Sequence, residues 1–505
     1  MSDHYDLIII GTGAGGGTLL HRLAPSGKRI LVLERGDYLP REKENWDAVS
    51  VFQKDRYHTK DVWIDKDGED LHPQQAYYVG GQTKVYGAAL FRLRERDFTE
   101  VRHEGGISPA WPLTYAEMEP YYQRAEELFE VHGVTGEDPT EGPHSGPYPF
   151  PPVSNEPRIQ EVFDGLTRIG HKPFHLPMGV RLLENDRVAS PCIKCDTCDG
   201  YPCMIHAKSD ADILCVRPSL AHPGVTLLRN ALVRRLIATG TQVSSVEAIV
   251  EGEHRSFSAD VVVLAAGAIN SAVILLRSGL ANGSDQVGRN FMKHNNVAMS
   301  AISKVPNPTI FQKTFGCNDY YWGDEDVAYP LGHLQLLGKA NADQFSAESP
   351  VPGVPPAIFQ AMGTHSVDWW LTGEDLPTAE NRVFLDADDR VHLDYTDGNR
   401  VSFARLQHRW VEELRKVDAT FGFTSYAAYL RKEIPLAGVA HQVGTCVFGE
   451  DPASSVLDLD CKAHELDNLY VVDGSFFPSI GAINPSLTIV ANALRVGDHL
   501  AARLG

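Results

Sequence analysis

A chain of 505 residues, 43% of them hydrophobic and 22% charged, has the composition of an ordinary globular protein. Such a length buries about three-quarters of the unfolded surface and accommodates more than one structural unit. Its 46 basic residues stand against 66 acidic ones, and the net charge of −20 opposes phosphate backbones and anionic lipid, which turns the reading away from nucleic acid and membrane as partners.

The strongest local pattern comes first. Leu7 to Ile10 is an apolar strand that runs into Gly11-Thr-Gly13-Ala14-Gly-Gly16. A helix follows the glycines, and a second apolar strand, Ile30 to Leu33, ends at Glu34. Gly11 is expected to make the tight turn, Gly13 to let the backbone approach a pyrophosphate, and Gly16 to let the helix pack closely on the strand. The helix N-terminus offers unpaired N–H groups and a positive dipole end to the phosphates. Glu34, 23 residues beyond Gly11, stands where a carboxylate usually holds a ribose diol. The stretch is read as an adenine-dinucleotide site in an α/β, Rossmann-like domain.

Further along, Val79-Gly80-Gly81-Gln-Thr83-Lys-Val85-Tyr86-Gly87 forms a glycine loop. Thr114 is the expected N-cap of a helix running to about His132, with Glu117 completing a capping box. A Pro- and Gly-rich stretch from 136 to 157 reads as a loop. Apolar runs from Leu227 to Gly267 return to the first sheet, and Val261-Val-Val-Leu264 is a buried strand leading to Ala265-Ala266-Gly267. Leu469-Tyr-Val-Val-Asp473-Gly474 is another strand, and a helix is expected from Ile489 to Leu504. No basic-then-apolar leader precedes the first strand, and no apolar run approaches the ~20 residues that span a bilayer. A cytoplasmic location is the expectation.

Four of the eight cysteines cluster as Cys192, Cys195, Cys198 and Cys203. The first three match an iron–sulfur spacing, the fourth gap is one residue too long, and four thiolates could also hold zinc. A cofactor-free loop is the preferred reading, with no metal expected. Cys215, Cys317, Cys446 and Cys461 read as small buried residues.

Five blocks in order resemble the glucose–methanol–choline (GMC) oxidoreductase family. They are Val79–Gly87, Ala265–Ser271, Ala440-His441-Gln-Val-Gly444-Thr445-Cys446, Leu469-Tyr-Val-Val-Asp473-Gly474-Ser475 and Asn484-Pro485-Ser486-Leu-Thr488. The resemblance runs from residue 5 to 504 and is thin only between about 300 and 380, the family's variable substrate region. It implies a Rossmann-like FAD domain interleaved with a substrate domain built on an antiparallel sheet. The segments expected are 1–110, 186–300 (with the cysteine loop) and 440–505 for FAD, and 111–185 and 301–439 for substrate. It also implies that Gly11, Gly13, Ala14, Gly16, Glu34, Arg35, Gly81, Thr83, Tyr86, Gly87, Val233, Ala266, Gly267, Asp473, Gly474, Asn484, Ser486 and Thr488 hold the FAD. Fungal pyranose 2-oxidases in this family tether the flavin through a loop histidine. Val85 stands at that place and has no nucleophilic atom, so non-covalent FAD is expected.

Oxidising an alcohol sends the hydroxyl proton to a base and the C–H hydride to flavin N5. A neutral imidazole suits the first task near neutral pH. The resemblance makes His441 that base and Asn484 its hydrogen-bonding partner, the His/Asn pair also seen in pyranose oxidases. The sugar-oxidising branch, acting at pyranose C3 or C2, is the expected one, with Gln360, His365, Trp369 and Trp370 as substrate candidates. Oxygen, a quinone or an electron-transfer protein would take the electrons. A non-sugar alcohol dehydrogenase, a redox-silent FAD lyase and a flavin electron carrier are the alternative readings.

Overall fold

In a computed structural model, the described residues are 3–303, 305–347, 349, 351–420, 428–438 and 440–505. Residue 439, the edge of one expected segment, and residues 1–2 lie outside them. Strand β1 (Asp3–Ile10), helix α1 (Ala14–Leu23) and strand β2 (Ile30–Leu33) form in the expected order. They join β3 (Val225–Leu228), β4 (Ala231–Thr239), β5 (Gln242–Val250) and β6 (Glu253–Leu264) in one sheet, ordered β3-β2-β1-β6-β5-β4. The first four strands of that order are parallel, and β6-β5-β4 form an antiparallel flank. A short strand, Leu469–Val471, pairs parallel to β6.

Register then decides where the site lies. Ile10 pairs with Leu33 and with Leu264, and Leu264 pairs with Val471. Four parallel strands therefore end at one edge, and the residues that follow them, Gly11, Glu34, Ala265 to Gly267 and Asp473, emerge side by side. Crevices outside the carboxyl ends of parallel strands are where such sheets bind ligands.

A second sheet is antiparallel throughout. Its strands are β7 (Asn295–Ile302), β8 (Phe315–Cys317), β9 (His333–Leu336), β10 (Ser366–Gly373) and β11 (Ala428–Glu433), with Pro173–His175 on one edge. The long helix Arg400–Thr420 covers it, burying Trp410 with Leu334, Trp369 and Leu371 in a core separate from that of the first sheet.

Thr114 caps its helix through the reciprocal bonds with Glu117, as expected. That helix ends at Leu128, not at His132, because Glu130 turns into the left-handed region and His132 joins a two-residue strand. The loop read over 136–157 gives way at Pro157, which starts a helix with its fixed φ at the first position. The C-terminal helix begins at Ser486, three residues earlier than expected. Among the described residues, no helix is long and apolar enough to cross a membrane.

Candidate active site

A cleft of about 810 Å³ runs along the carboxyl edge of the first sheet and reaches under the second. Gly11, with φ at +101°, turns the chain out of β1. A methyl on Gly13 would meet no protein atom closer than 4.0 Å, so the backbone there is open to the cleft. The α1 N-terminus carries no side-chain cap and no acid in its first turn, which leaves its N–H groups and dipole to a bound anion. Gly16 serves close packing, since a Cβ there would overlap the Gly11 carbonyl oxygen. Gly15 is as tightly placed, against the Val472 carbonyl, although the fingerprint assigns it no role.

Glu34 is buried at the end of β2. Its carboxylate accepts from the Thr12 amide at 3.1 Å, the Thr12 hydroxyl at 2.5 Å and the Gly36 amide at 2.9 Å. Burial pushes its pKa up while those donors oppose the rise. An open phosphate turn followed by a fixed acid beside Val233 and Arg35 fits the adenosine half of a dinucleotide. Asp473 braces the next stretch. One oxygen accepts from the Gly267 amide at 3.0 Å and from Ser271, and the other accepts from the amide and hydroxyl of Ser475. Two glycine turns from distant parts of the chain are thereby held together.

At the far end, Asn484 Nδ2 donates to His441 Nε2 at 3.3 Å. Behind them His441 Nδ1 meets His294 Nδ1 at 2.8 Å. Burial, with the Lys313 ammonium nearby, lowers the His441 pKa to about 4. The ring is therefore neutral at physiological pH, the form able to take a proton. Lys313 and Asp199 pair at 3.0 Å on the cleft wall, beside Gln335, Asn296 and Trp370.

Most of the expected residues line this one cleft: Gly11, Gly13, Ala14, Glu34, Arg35, Gly81, Thr83, Tyr86, Gly87, Val233, Ala266, Gly267, His441, Asp473, Gly474, Asn484 and Ser486. Val85 lines it as well. Gly16 and Thr488 lie behind the wall, and the Thr488 hydroxyl is bonded to Tyr122 at 2.9 Å. Of the four substrate candidates only Trp370 reaches the cleft. Successive residues of β10 face opposite sides, so Trp369 points into the core against Phe315. Gln360 is exposed on the helix Pro356–His365, and His365 at that helix's end is also away from the cleft.

The four clustered cysteines carry free thiols. Among the described residues, the one group with three metal-type ligand atoms within 4.8 Å of each other is His171, Cys317 and Asp319, elsewhere in the fold. The cysteine segment brings Asp199 to the cleft. Buried Lys208 anchors it by donating to the carbonyls of Cys198, Tyr201 and Tyr86 at 2.7, 2.9 and 2.7 Å. Neither Lys208 nor the Lys313–Asp199 pair has a local sequence signature, and the sequence reading missed them.

Family models described as GMC oxidoreductase match residues 5–296 and 374–493. A 6'''-hydroxyparomomycin C oxidase from Streptomyces lividus is 30% identical over 537 residues, covering 99% of this chain and 92% of its own. A paromamine 6'-oxidase from Streptomyces fradiae is 29% identical over 538 residues, with the same coverage. The crystal structure of pyridoxine 4-oxidase from Mesorbium loti superposes with a TM-score of 0.67 at 19% identity, covering 98% of both chains, a likeness of fold. The glycine turn, the fixed acid and the matched models agree, and the chain belongs to the GMC oxidoreductase family, whose members are FAD-binding flavoproteins.

Proposed function

We propose that this protein oxidises a hydroxyl-bearing carbon of a sugar or glycoside to a carbonyl. The observation that carries the reading is the His441–Asn484 pair at the inner end of the dinucleotide cleft. FAD bound along Gly11–Glu34 and Ala266–Gly267 would supply the hydride acceptor. The chain supplies the rest. Neutral His441 takes the hydroxyl proton at Nε2, and the Asn484 amide turns its N–H to the substrate oxygen without competing for that proton. The alcohol thus gives up one proton and one hydride, and a C=O bond replaces the O–H and C–H bonds.

Other residues of the cleft's lining support a polyol. An ammonium–carboxylate pair, Lys313–Asp199, lines the cleft together with two amides, Gln335 and Asn296, and an indole, Trp370. Polar groups converging around an aromatic surface are what a sugar face requires. Pyranose C3 or C2 is one position for the reaction. The names of the two Streptomyces relatives favour others, a 6' position for the one and a 6''' hydroxyl for the other.

Anaerobic mixing with a panel of pyranoses, glycosides and amino sugars tests the reading. Bleaching of the flavin band by at least one of them is expected, and product analysis then separates ring ketone from 6'-aldehyde. Bleaching by simple alcohols with none by any sugar would replace this reading with the non-sugar one.

Val85 bears on the cofactor's attachment. It lines the cleft with an aliphatic side chain, so we expect acid precipitation to release all of the yellow colour as FAD. Yellow retained in the washed pellet would overturn non-covalent binding.

A further inference from the structure

The substrate-facing nitrogen of His441 can act as a base only if its proton sits on the other nitrogen. We propose that His294 is a positioning residue that locks His441 in that tautomer, through a buried chain of hydrogen bonds from the Gly481 carbonyl to His294 to His441. The proposal rests on the reading of His441 as the base.

Each link has one possible direction. His294 is fully buried, and its Nε2 lies 3.0 Å from the Gly481 carbonyl oxygen. A carbonyl only accepts, so Nε2 carries a hydrogen. Burial beside His441 holds the His294 pKa well below the ordinary histidine value, with His333 and Lys293 acting in the same direction. The ring is neutral, and its Nδ1 is left as a bare acceptor. His441 Nδ1 lies 2.8 Å from that acceptor, with the two rings nearly perpendicular at 86°. One of the two nitrogens must donate, and only His441 has a hydrogen to give. His441 Nε2 is thereby left with its lone pair, at the end that meets Asn484 and the cleft.

The anchor is itself fixed. Gly481 has φ at +63° and its amide donates to Glu374 Oε1 at 3.1 Å, while the Ala482 amide, in the peptide that carries the accepting carbonyl, donates to Tyr321 Oη at 3.1 Å and sets that peptide's direction. Glu374 also accepts from Ser108 at 2.6 Å. The charged groups near His441 are Lys313 and Asp199, those near His294 are Lys293 and the titratable but neutral His333, and among the described residues no carboxylate bonds either ring's inner nitrogen. This differs from a carboxylate partner in kind. A carboxylate would set the tautomer and also raise the base's pKa by stabilising imidazolium, whereas a neutral imidazole sets the tautomer alone. His441 stays uncharged before the substrate arrives, and the proton it gains is weakly held.

The test reads the tautomer directly in the FAD-loaded enzyme. With 15N-histidine labelling, His441 signals are assigned by their loss in H441Q, and spectra are taken between pH 5 and 8. The expected result is a protonated Nδ1 and a bare Nε2 throughout; a hydrogen on Nε2 would overturn the lock whatever His441 does in catalysis. Kinetics give the second reading. H294L should slow flavin reduction by about 10–10²-fold, the cost of losing a histidine's orienting partner, while the substrate's apparent Kd changes less than about threefold. H294N returns an acceptor oxygen close to the lost Nδ1 and should recover most of the rate. Equal rates in wild type, H294L and H294N would overturn the proposal. If H294L does not fold, the wild-type spectra decide alone. An H441A enzyme that reduces its flavin normally would instead refute the base reading, and the spectra would still report the tautomer.

Discussion

Replacing His441 by alanine should leave FAD bound and slow reduction of the flavin by substrate about 10²–10⁴-fold, the usual worth of a positioned general base. FAD stays because the groups that hold its adenosine half, the Gly11 turn and Glu34, lie at the other end of the cleft. Asn484→Ala should cost less, about five- to tenfold. It removes one hydrogen bond worth roughly 1 kcal/mol and leaves the base in place. The pH profile follows from the same residue. Burial places the His441 pKa at about 4, so the proton-accepting form predominates above that value. The wild-type reduction rate should therefore stay level from pH 8 to about pH 5 and fall only as pH approaches 4. Stopped-flow reduction under anaerobic conditions measures all three. A wild-type rate in the His441 variant would refute the assignment, and a break near the ordinary histidine pKa of ~6.5 would refute the burial argument.

What was legible in the sequence is what neighbours along the chain determine. The strand–glycine–helix–strand–acid unit runs unbroken from Asp3 to Glu34, so its pattern is read along one stretch of chain even though β1 and β2 also pair with β6 and β3. The Thr114 cap is likewise a matter of four residues. Motif resemblance carried the reading to His441 and Asn484, 43 residues apart, which the fold brings to hydrogen-bond distance. Beyond that, local pattern fails for physical reasons. A Trp-Trp pair in a strand must send one ring to each face, and nothing local says which face is core. Gln360 and His365 have the chemistry of sugar ligands, yet their helix turns them away from the cleft. Lys313 and Asp199 are 114 residues apart, and His294 and His441 are 147 apart. Such pairs are made between loop segments far apart in the chain, and neither partner sits in a spacing that announces the other.

The glycine run offers the sharpest separation of folding from cofactor binding, because two of its members fail for different reasons. Gly15→Ala should destabilise the protein before any cofactor is considered. Its Cβ would overlap the Val472 carbonyl oxygen, which belongs to the chain just past Leu469–Val471. Neither backbone can yield without breaking the pairing of that strand with β6. Overpacking costs 1–3 kcal/mol where side chains can give way, and here none can, so a loss of at least about 3 kcal/mol is expected. The apo protein should melt roughly 5 °C lower or more. Gly13→Ala should behave in the opposite way. Gly13 has φ at −68°, open to any residue, and its added methyl comes no nearer than 4.0 Å to protein. The apo melting temperature should be unchanged within about 1 °C, yet FAD occupancy should fall at least tenfold, since the methyl takes the space the pyrophosphate needs. Melting curves of both apo variants, with flavin content by absorbance, measure the contrast. A Gly13→Ala protein that kept its full flavin would show that the pyrophosphate does not approach this backbone, and the glycine fingerprint would then be only a turn.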